Sequence, residues 1–462
     1  MRLFTFFVFS TIFFNLNAQE FQKNNIELLG RWTVPTDKEA EYGTVFSSCY
    51  GYEQGGREYA IIGCGNGTIY VDITKPKSPV FSDFVPSRVK NATWREYKTY
   101  KNYAYQVSDD GGDNHFDIVD LSYLPDSVHV VYSGSKEYFK TGHTIFMDGS
   151  NMYIGLHNHT SMSVFSLKED PTNPKFLRFL SDDYPGDVHD MFVRNDTVYA
   201  SKGWDGALQI LEFKNNRFIE IGNFSNYPFV GYNHSSWLTP DGKTLIFTDE
   251  VPGALPAKSL DVTDPANPVL VDTFYSQSGK ATLHNPFEGF NNTFVMASYE
   301  DGVQVFDYSD PKEIKLRGFF DTHWQSDAAG STGGYSGTWS VYTPLPSKNM
   351  IAVDRQNGLF VLDATAAYYP EVSKNKDLKD AIKMVSFPNP AMDNFRLQLP
   401  EQMDGSAEVK IYNTAGNLVY QNIFDVNRLR NHAFATRNWA SGIYFVQLSN
   451  KGKYYISEQA IR

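Results

Sequence analysis

Apolar and polar positions alternate in short runs along most of this chain, and the runs recur in a fixed order. Within Leu283 to Pro311, His284 opens a run ending near Gly289 and Thr293 to Ser298 is an apolar strand. After the Glu300-Asp301-Gly302 turn, Val303 to Tyr308 sets Val303, Val305 and Asp307 against Gln304, Phe306 and Tyr308, a period-two strand. Ser309-Asp310-Pro311 ends the unit, because Asp caps nearby backbone and Pro cannot continue a ladder. One such unit cannot bury both of its faces and needs neighbours of its own kind.

The neighbours are present. Marking the start of each innermost strand gives Ser47, Trp94, His143, His189, His234, His284 and Trp339, at steps of 47, 49, 46, 45, 50 and 55 residues. Each mark is followed by a second strand (Tyr59-Ala-Ile-Ile in the first unit, Val198-Tyr-Ala-Ser in the fourth) and by a third such as TIYVDITKP, SLDVTDP or VQVFDYSDP. An outer strand follows in six units, from PVFSDFV to IKLRGFF, whereas Ala364 to Lys376 lacks one. The segment Ile26 to Val34 has that outer pattern and no unit of its own. Four-stranded repeats of this period predict an all-β chain folded as a seven-bladed β-propeller, with the N-terminal strand closing the last blade.

The pattern changes after the repeats. Tyr368 to Asp380 is polar and charged, and Phe387-Pro-Asn-Pro-Ala then opens a module with strands at Phe395–Leu399, Ala407–Tyr412, Leu418–Phe424, Gly442–Leu448 and Lys453–Ser457. A small C-terminal β-sandwich is expected. The division is a signal peptide over 1–18, a propeller over 19–368, a linker over 369–384 and the final module over 385–462.

Composition narrows the function classes. A formal net charge of −12 opposes binding to nucleic acid, whose phosphates need Lys and Arg. Arg2, the Phe-rich apolar run Leu3 to Leu16 and Leu16-Asn17-Ala18 before Gln19 form a secretory leader, and no later segment is apolar enough to span a bilayer. The mature chain is expected to be extracellular, without a transmembrane segment. Export permits a disulfide between Cys49 and Cys64, in adjacent strands of the first blade, worth roughly 3 kcal/mol by chain entropy; two buried thiols are the other reading.

Two resemblances add to this. The FPNPA start, the VKIYNTAGNLVY hairpin and the SGIYFVQLSNKGKYY ending are similar to the C-terminal sorting domain of the type IX secretion system. That implies recognition by the secretion machinery, and release or attachment at the outer-membrane surface. The third strands YVDITKP, LDVTDP and VFDYSDP resemble LVIVD repeats, and the order of Trp94-Arg-Glu-Tyr, Gly142-His-Thr-Ile-Phe, His189-Asp, Asn233-His-Ser-Ser-Trp, Leu283-His-Asn and Gly337-Thr-Trp resembles the choice-of-anchor B family over about residues 25 to 364. This family implies no agreed activity. The third strand of unit four, Leu208 to Asn215, departs from the repeat by lacking the Asp-Pro ending.

The candidate chemistry is the set of histidines at one repeat position. His143, His189, His234 and His284 should share one mouth of the channel with residues of the second-to-third turns: Asp109, Asp110, Asp113, His115, His157, His159, Asp249, Glu250, Glu300 and Asp301. Imidazoles and a carboxylate such as Glu250 are the donors that a divalent metal ion takes. Alternatively, a repeated histidine meets a repeated packing need, as Gly-His does in WD-repeat propellers. Arg95 and Glu96 either aim into the channel or lock two blades. No GxGxxG, P-loop, HExxH or GxSxG motif is present. The expected function is a binding module for a protein or glycan ligand, with exposed-type aromatics such as Trp204, Trp324 and Tyr335; the alternative is a secreted metal-dependent hydrolase or oxidase using the histidine mouth.

Overall fold

The computed structural model describes residues 21–109, 116–134, 138, 140–156, 161–325, 332–370, 382–414, 417–451 and 453–462. The leader, most of the linker, and Asp110, Asp113, His115, His157 and His159 lie outside the described residues.

Seven antiparallel sheets follow one another along the first four-fifths of the chain, starting at Phe46, Arg95, Thr144, Asp190, Asn233, Pro286 and Thr338. Each of these starts falls within two residues of its repeat mark. Every inner strand packs against the next, and Thr338–Tyr342 of the seventh sheet packs against Phe46–Gln54 of the first, so the row closes on itself. The seventh sheet takes its outer strand from the start of the chain, with Leu28 opposite Leu362 and Trp32 opposite Leu359. A short strand, Lys23–Asn24, continues outward onto the sixth sheet opposite Phe319 and Phe320, so the first described residues tie two sheets together. The sixth inner strand, Pro286–Glu288, is the shortest of the seven, and its Pro286 supplies no N–H to the ladder.

The core lies between neighbouring sheets. Ile62 and Ile69 of the first sheet pack with Val353 and Val361 of the seventh, and Ile26 packs with Val305, Phe320 and Leu362 across the sixth and seventh. Each such fully buried side chain contributes roughly 1.5–3 kcal/mol by leaving water. The repeat ending has a local cause. Oδ1 of Asp72, Asp261, Asp307 and Asp363 accepts the backbone N–H two residues on, at 2.8 to 2.9 Å, and Asp264 and Asp310 repeat the motif in the following turn. Two successive Asx turns reverse the chain between the third and fourth strands.

Of the two readings of Cys49 and Cys64, the disulfide is not formed. Cys49 stands opposite Ile62 and Cys64 opposite Phe46, with a register shift between Phe46 and Cys49, so the two cysteines are not cross-strand partners. Both are buried free thiols.

The final part has one five-stranded sheet, whose hairpins run Ser406–Asn413 to Leu418–Asp425 and Gly442–Asn450 to Lys453–Ile461, and one three-stranded sheet. Phe395, Leu397, Val409, Ile411, Phe434, Val446 and Leu448 from both sheets form one core. Val385–Phe387 and Phe434–Ala435, which belong to the smaller sheet, were not expected from the pattern because they are only three and two residues long.

Candidate functional site

The inner strands of all seven sheets line one open cavity on the ring axis, with a volume of about 60 Å³. Two tiers of side chains organise it. The first is an arc of rings from the repeat marks: His143 to His189, His189 to His234 and His234 to His284 have centroid separations of 4.5, 4.3 and 4.4 Å, and Trp339 and Trp94 continue it. The second is a complete circuit: Tyr50, Phe146, Phe192, Trp237, Phe287 and Tyr342 meet in sequence, with the Lys98 ammonium bridging the gap between Tyr50 and Phe146 at 5.4 and 5.7 Å. All seven repeat marks have an aromatic three residues on, and six of these form the circuit, while Tyr97 of the second sheet is buried among Tyr59, Ile61 and Tyr70 instead. That regularity is present in the sequence, but strand period alone does not single it out.

The imidazoles are held by the repeat itself. Nδ1 of His189 hydrogen-bonds the His234 carbonyl at 3.0 Å, and Nδ1 of His284 the Trp339 carbonyl at 2.8 Å, each reaching the next sheet. A carbonyl only accepts, so both rings carry their proton on Nδ1 and keep a lone pair on Nε2. His143 differs: its Nδ1 lies 2.7 Å from Oδ2 of Asp109. Burial opposes its charged form, but the Asp109 carboxylate outweighs this and raises the pKa to about 9. Burial keeps His189, His234 and His284 below the ordinary value, with neighbouring imidazoles reinforcing this at His189 and His284.

Glu250 stands against this arc at the end of Thr244–Asp249. Its oxygens lie 3.6 Å from Nε2 of His234 and 3.7 Å from Nε2 of His284, and the Tyr299 hydroxyl donates to Oε1 at 2.7 Å. The preceding Asp249 is locked by Lys258 Nζ at 2.5 Å, the Tyr227 hydroxyl and the Gly231 N–H. Among the described residues, the cluster suited to a metal ion is His234, Glu250 and His284, whose candidate ligand atoms lie within 4.8 Å of one another. His143 and His189 are in the arc but outside this cluster.

The remaining candidates have other tasks. Glu300 accepts from Thr332 and Gly334 N–H, and Asp301 from Ser278 N–H, so both organise loops. Arg95 donates to the carbonyls of Cys64 and Gly65 and joins the first two sheets, whereas Glu96 faces the cavity and pairs with Lys98 at 2.5 Å. Burial, reinforced by the Glu96 carboxylate, pushes the Asp190 carboxyl, also in the cavity wall, up to about 7.

Residues 385–462 match the family described as secretion system C-terminal sorting domain. A domain of this kind indicates export by type IX secretion, to the cell surface or the extracellular space. No curated protein matches the chain. Among solved structures, the WD40 β-propeller domain of Doa1 is similar with a TM-score of 0.51 at 10% identity, over 73% of this chain and 97% of that one. The ring is thus a β-propeller fold. PorZ, an essential bacterial surface component of the type IX secretion system of Porphyromonas gingivalis, aligns with a TM-score of 0.47 at 12% identity over 89% of this chain. The alignment spans 59% of PorZ. Among the described residues, no helix is long and apolar enough to cross a membrane.

Proposed function

We propose that this protein is a secreted or cell-surface binding module: a seven-bladed propeller of the LVIVD, choice-of-anchor B type over residues 19–368, closed by its own N-terminal strand. A leader over 1–18 takes it across the inner membrane, a linker over 369–384 follows, and a β-sandwich over 385–462 presents it to the type IX machinery. The repeated Asx-turn endings support the repeat assignment.

The observation that carries the binding reading is the continuity between exposed aromatics and the cavity. Trp204, 72% exposed, packs on Tyr232, which packs on His189; Tyr335, 41% exposed, packs on Tyr299, which packs on His284. Two aromatic ladders thus run from solvent to the same imidazole arc. Exposed rings around a concave polar site are the composition of recognition surfaces for proteins and glycans. The test is capture of glycans and surface proteins by the mature chain. Trp204→Ala and Tyr335→Ala should each weaken capture at least tenfold, while Tyr123→Ala, exposed on a turn of the second sheet, should not. Equal binding by all three would refute the assignment of this mouth. Delivery is tested by fractionating cells with and without residues 385–462, and export of the truncated chain would refute the sorting role.

A further inference from the structure

The gap between Glu250 and its two histidines has the wrong length for one interaction and a suitable length for another. At 3.6 and 3.7 Å, neither Nε2 makes a hydrogen bond to the carboxylate. His284 is 1% exposed, and its Nε2 has no hydrogen-bond partner although a carboxylate faces it. A buried acceptor left beside another acceptor is costly. Two donors bound to one ion at about 2.0–2.1 Å in tetrahedral geometry stand roughly 3.3 Å apart. The two imidazole–carboxylate gaps exceed this by a few tenths of an ångström, and the three donors, which lie within 4.8 Å of one another, would close further onto a common centre.

We propose that His234, His284 and Glu250 form a binding site for one first-row divalent transition metal, of the zinc, copper or nickel class, with an open coordination position towards the channel. The donor set of two imidazoles and one carboxylate suits these ions and disfavours magnesium and calcium, which take oxygen ligands. The surroundings have the arrangement that ligands of such ions need. The His284 Nδ1–H is tied to the Trp339 carbonyl, which presents Nε2 as the ligand, and the Tyr299 hydroxyl fixes one oxygen of Glu250. His143, engaged by Asp109, is not a ligand, so the site is narrower than the histidine repeat suggests.

This inference deepens the binding reading of the same mouth and rests on that mouth being accessible. It is separable from that reading, because loss of the metal site leaves the outer rings Trp204 and Tyr335 in place. The experiment is titration of the metal-stripped mature chain with Co²⁺, read by its visible absorption, and with Zn²⁺ in competition, with Mg²⁺ as a control. One equivalent should bind with the intense bands of a low-coordinate site. His284→Ala and Glu250→Gln should each weaken binding by 100-fold or more. Tyr299→Phe, which removes only the hydroxyl, should weaken it 10- to 100-fold, and the exposed His129→Ala should leave it unchanged. Circular dichroism confirms that each variant keeps its sheets. If His284→Ala does not fold, Glu250→Gln and Tyr299→Phe decide. Absence of stoichiometric binding at 100 micromolar Co²⁺ or Zn²⁺, or binding that folded Glu250→Gln and Tyr299→Phe variants retain in full, overturns the proposal.

Discussion

Lys258 Nζ lies 2.5 Å from Oδ2 of Asp249, and both side chains are completely buried. The pair fixes the strand end that carries Glu250, so its energetics bear on the site as well as on the fold. Lys258→Met leaves the Asp249 carboxylate buried without its cation and should destabilise the propeller by about 3–5 kcal/mol. Adding Asp249→Asn removes the stranded charge, keeps an acceptor for Tyr227 and Gly231, and should recover a large part of that loss. Urea unfolding of the two variants measures both steps, and a double variant no more stable than the single one would contradict this account.

The arc of imidazoles makes stability depend on pH from both sides. His143 has its folded pKa raised to about 9, above the unfolded value of about 6.5, so its contribution is complete below that value and is lost as pH rises through about 9. The loss should reach up to roughly 3 kcal/mol and should vanish in Asp109→Asn. His189 and His284 are shifted the opposite way, so their contribution is present above pH ~6.5 and is lost as pH falls below it. Thermal unfolding between pH 4 and 10 should therefore show a maximum near neutrality. A profile flat above pH 7 would exclude the His143–Asp109 pair as a charged interaction.

Closure of the ring depends on one strand. Ile26 is fully buried in the cluster that joins the sixth and seventh sheets, and Ile26→Ala should cost about 2–5 kcal/mol. Removing residues 19–34 deletes the partner of Gly358–Asp363 and leaves Leu359 to Leu362 at a bare edge, so the truncated chain should aggregate. Size-exclusion chromatography distinguishes the outcomes, and a monomeric, fully stable truncation would show that the closure is dispensable.

The two thiols should be inert in the folded protein. Burial raises the Cys49 thiol to about 12 and the Cys64 thiol to about 11, so neither forms a thiolate at neutral pH. Alkylation under native conditions should label neither, and alkylation after denaturation without reductant should label both. A mass 2 Da lower, with no label, would show that export oxidises them.

Much of the ring was legible because strand signals are local. The Asp-x-Thr and Asp-x-Ser endings that recur at Asp72, Asp261 and Asp307 act on backbone two residues away, and the repeat marks needed only hydrophobic alternation. Lys23–Asn24 on the sixth sheet could not be read, because a two-residue strand has no period. The disulfide alternative for Cys49 and Cys64 failed for a related reason: the strands pair with Cys64 opposite Phe46 and Cys49 opposite Ile62, and residue types alone do not announce the register.

At the site the division is sharper. Sequence alone determined that four imidazoles would share a layer, since equivalent positions in equivalent strands around a closed ring must lie at equal depth. It could not separate them. That His143 is claimed by Asp109 while His234 and His284 face Glu250 was decided by side-chain directions and by loops of unequal length between sheets, which bring together residues that are distant along the chain. Repeats fix where a residue stands, and only tertiary packing fixes which partner reaches it.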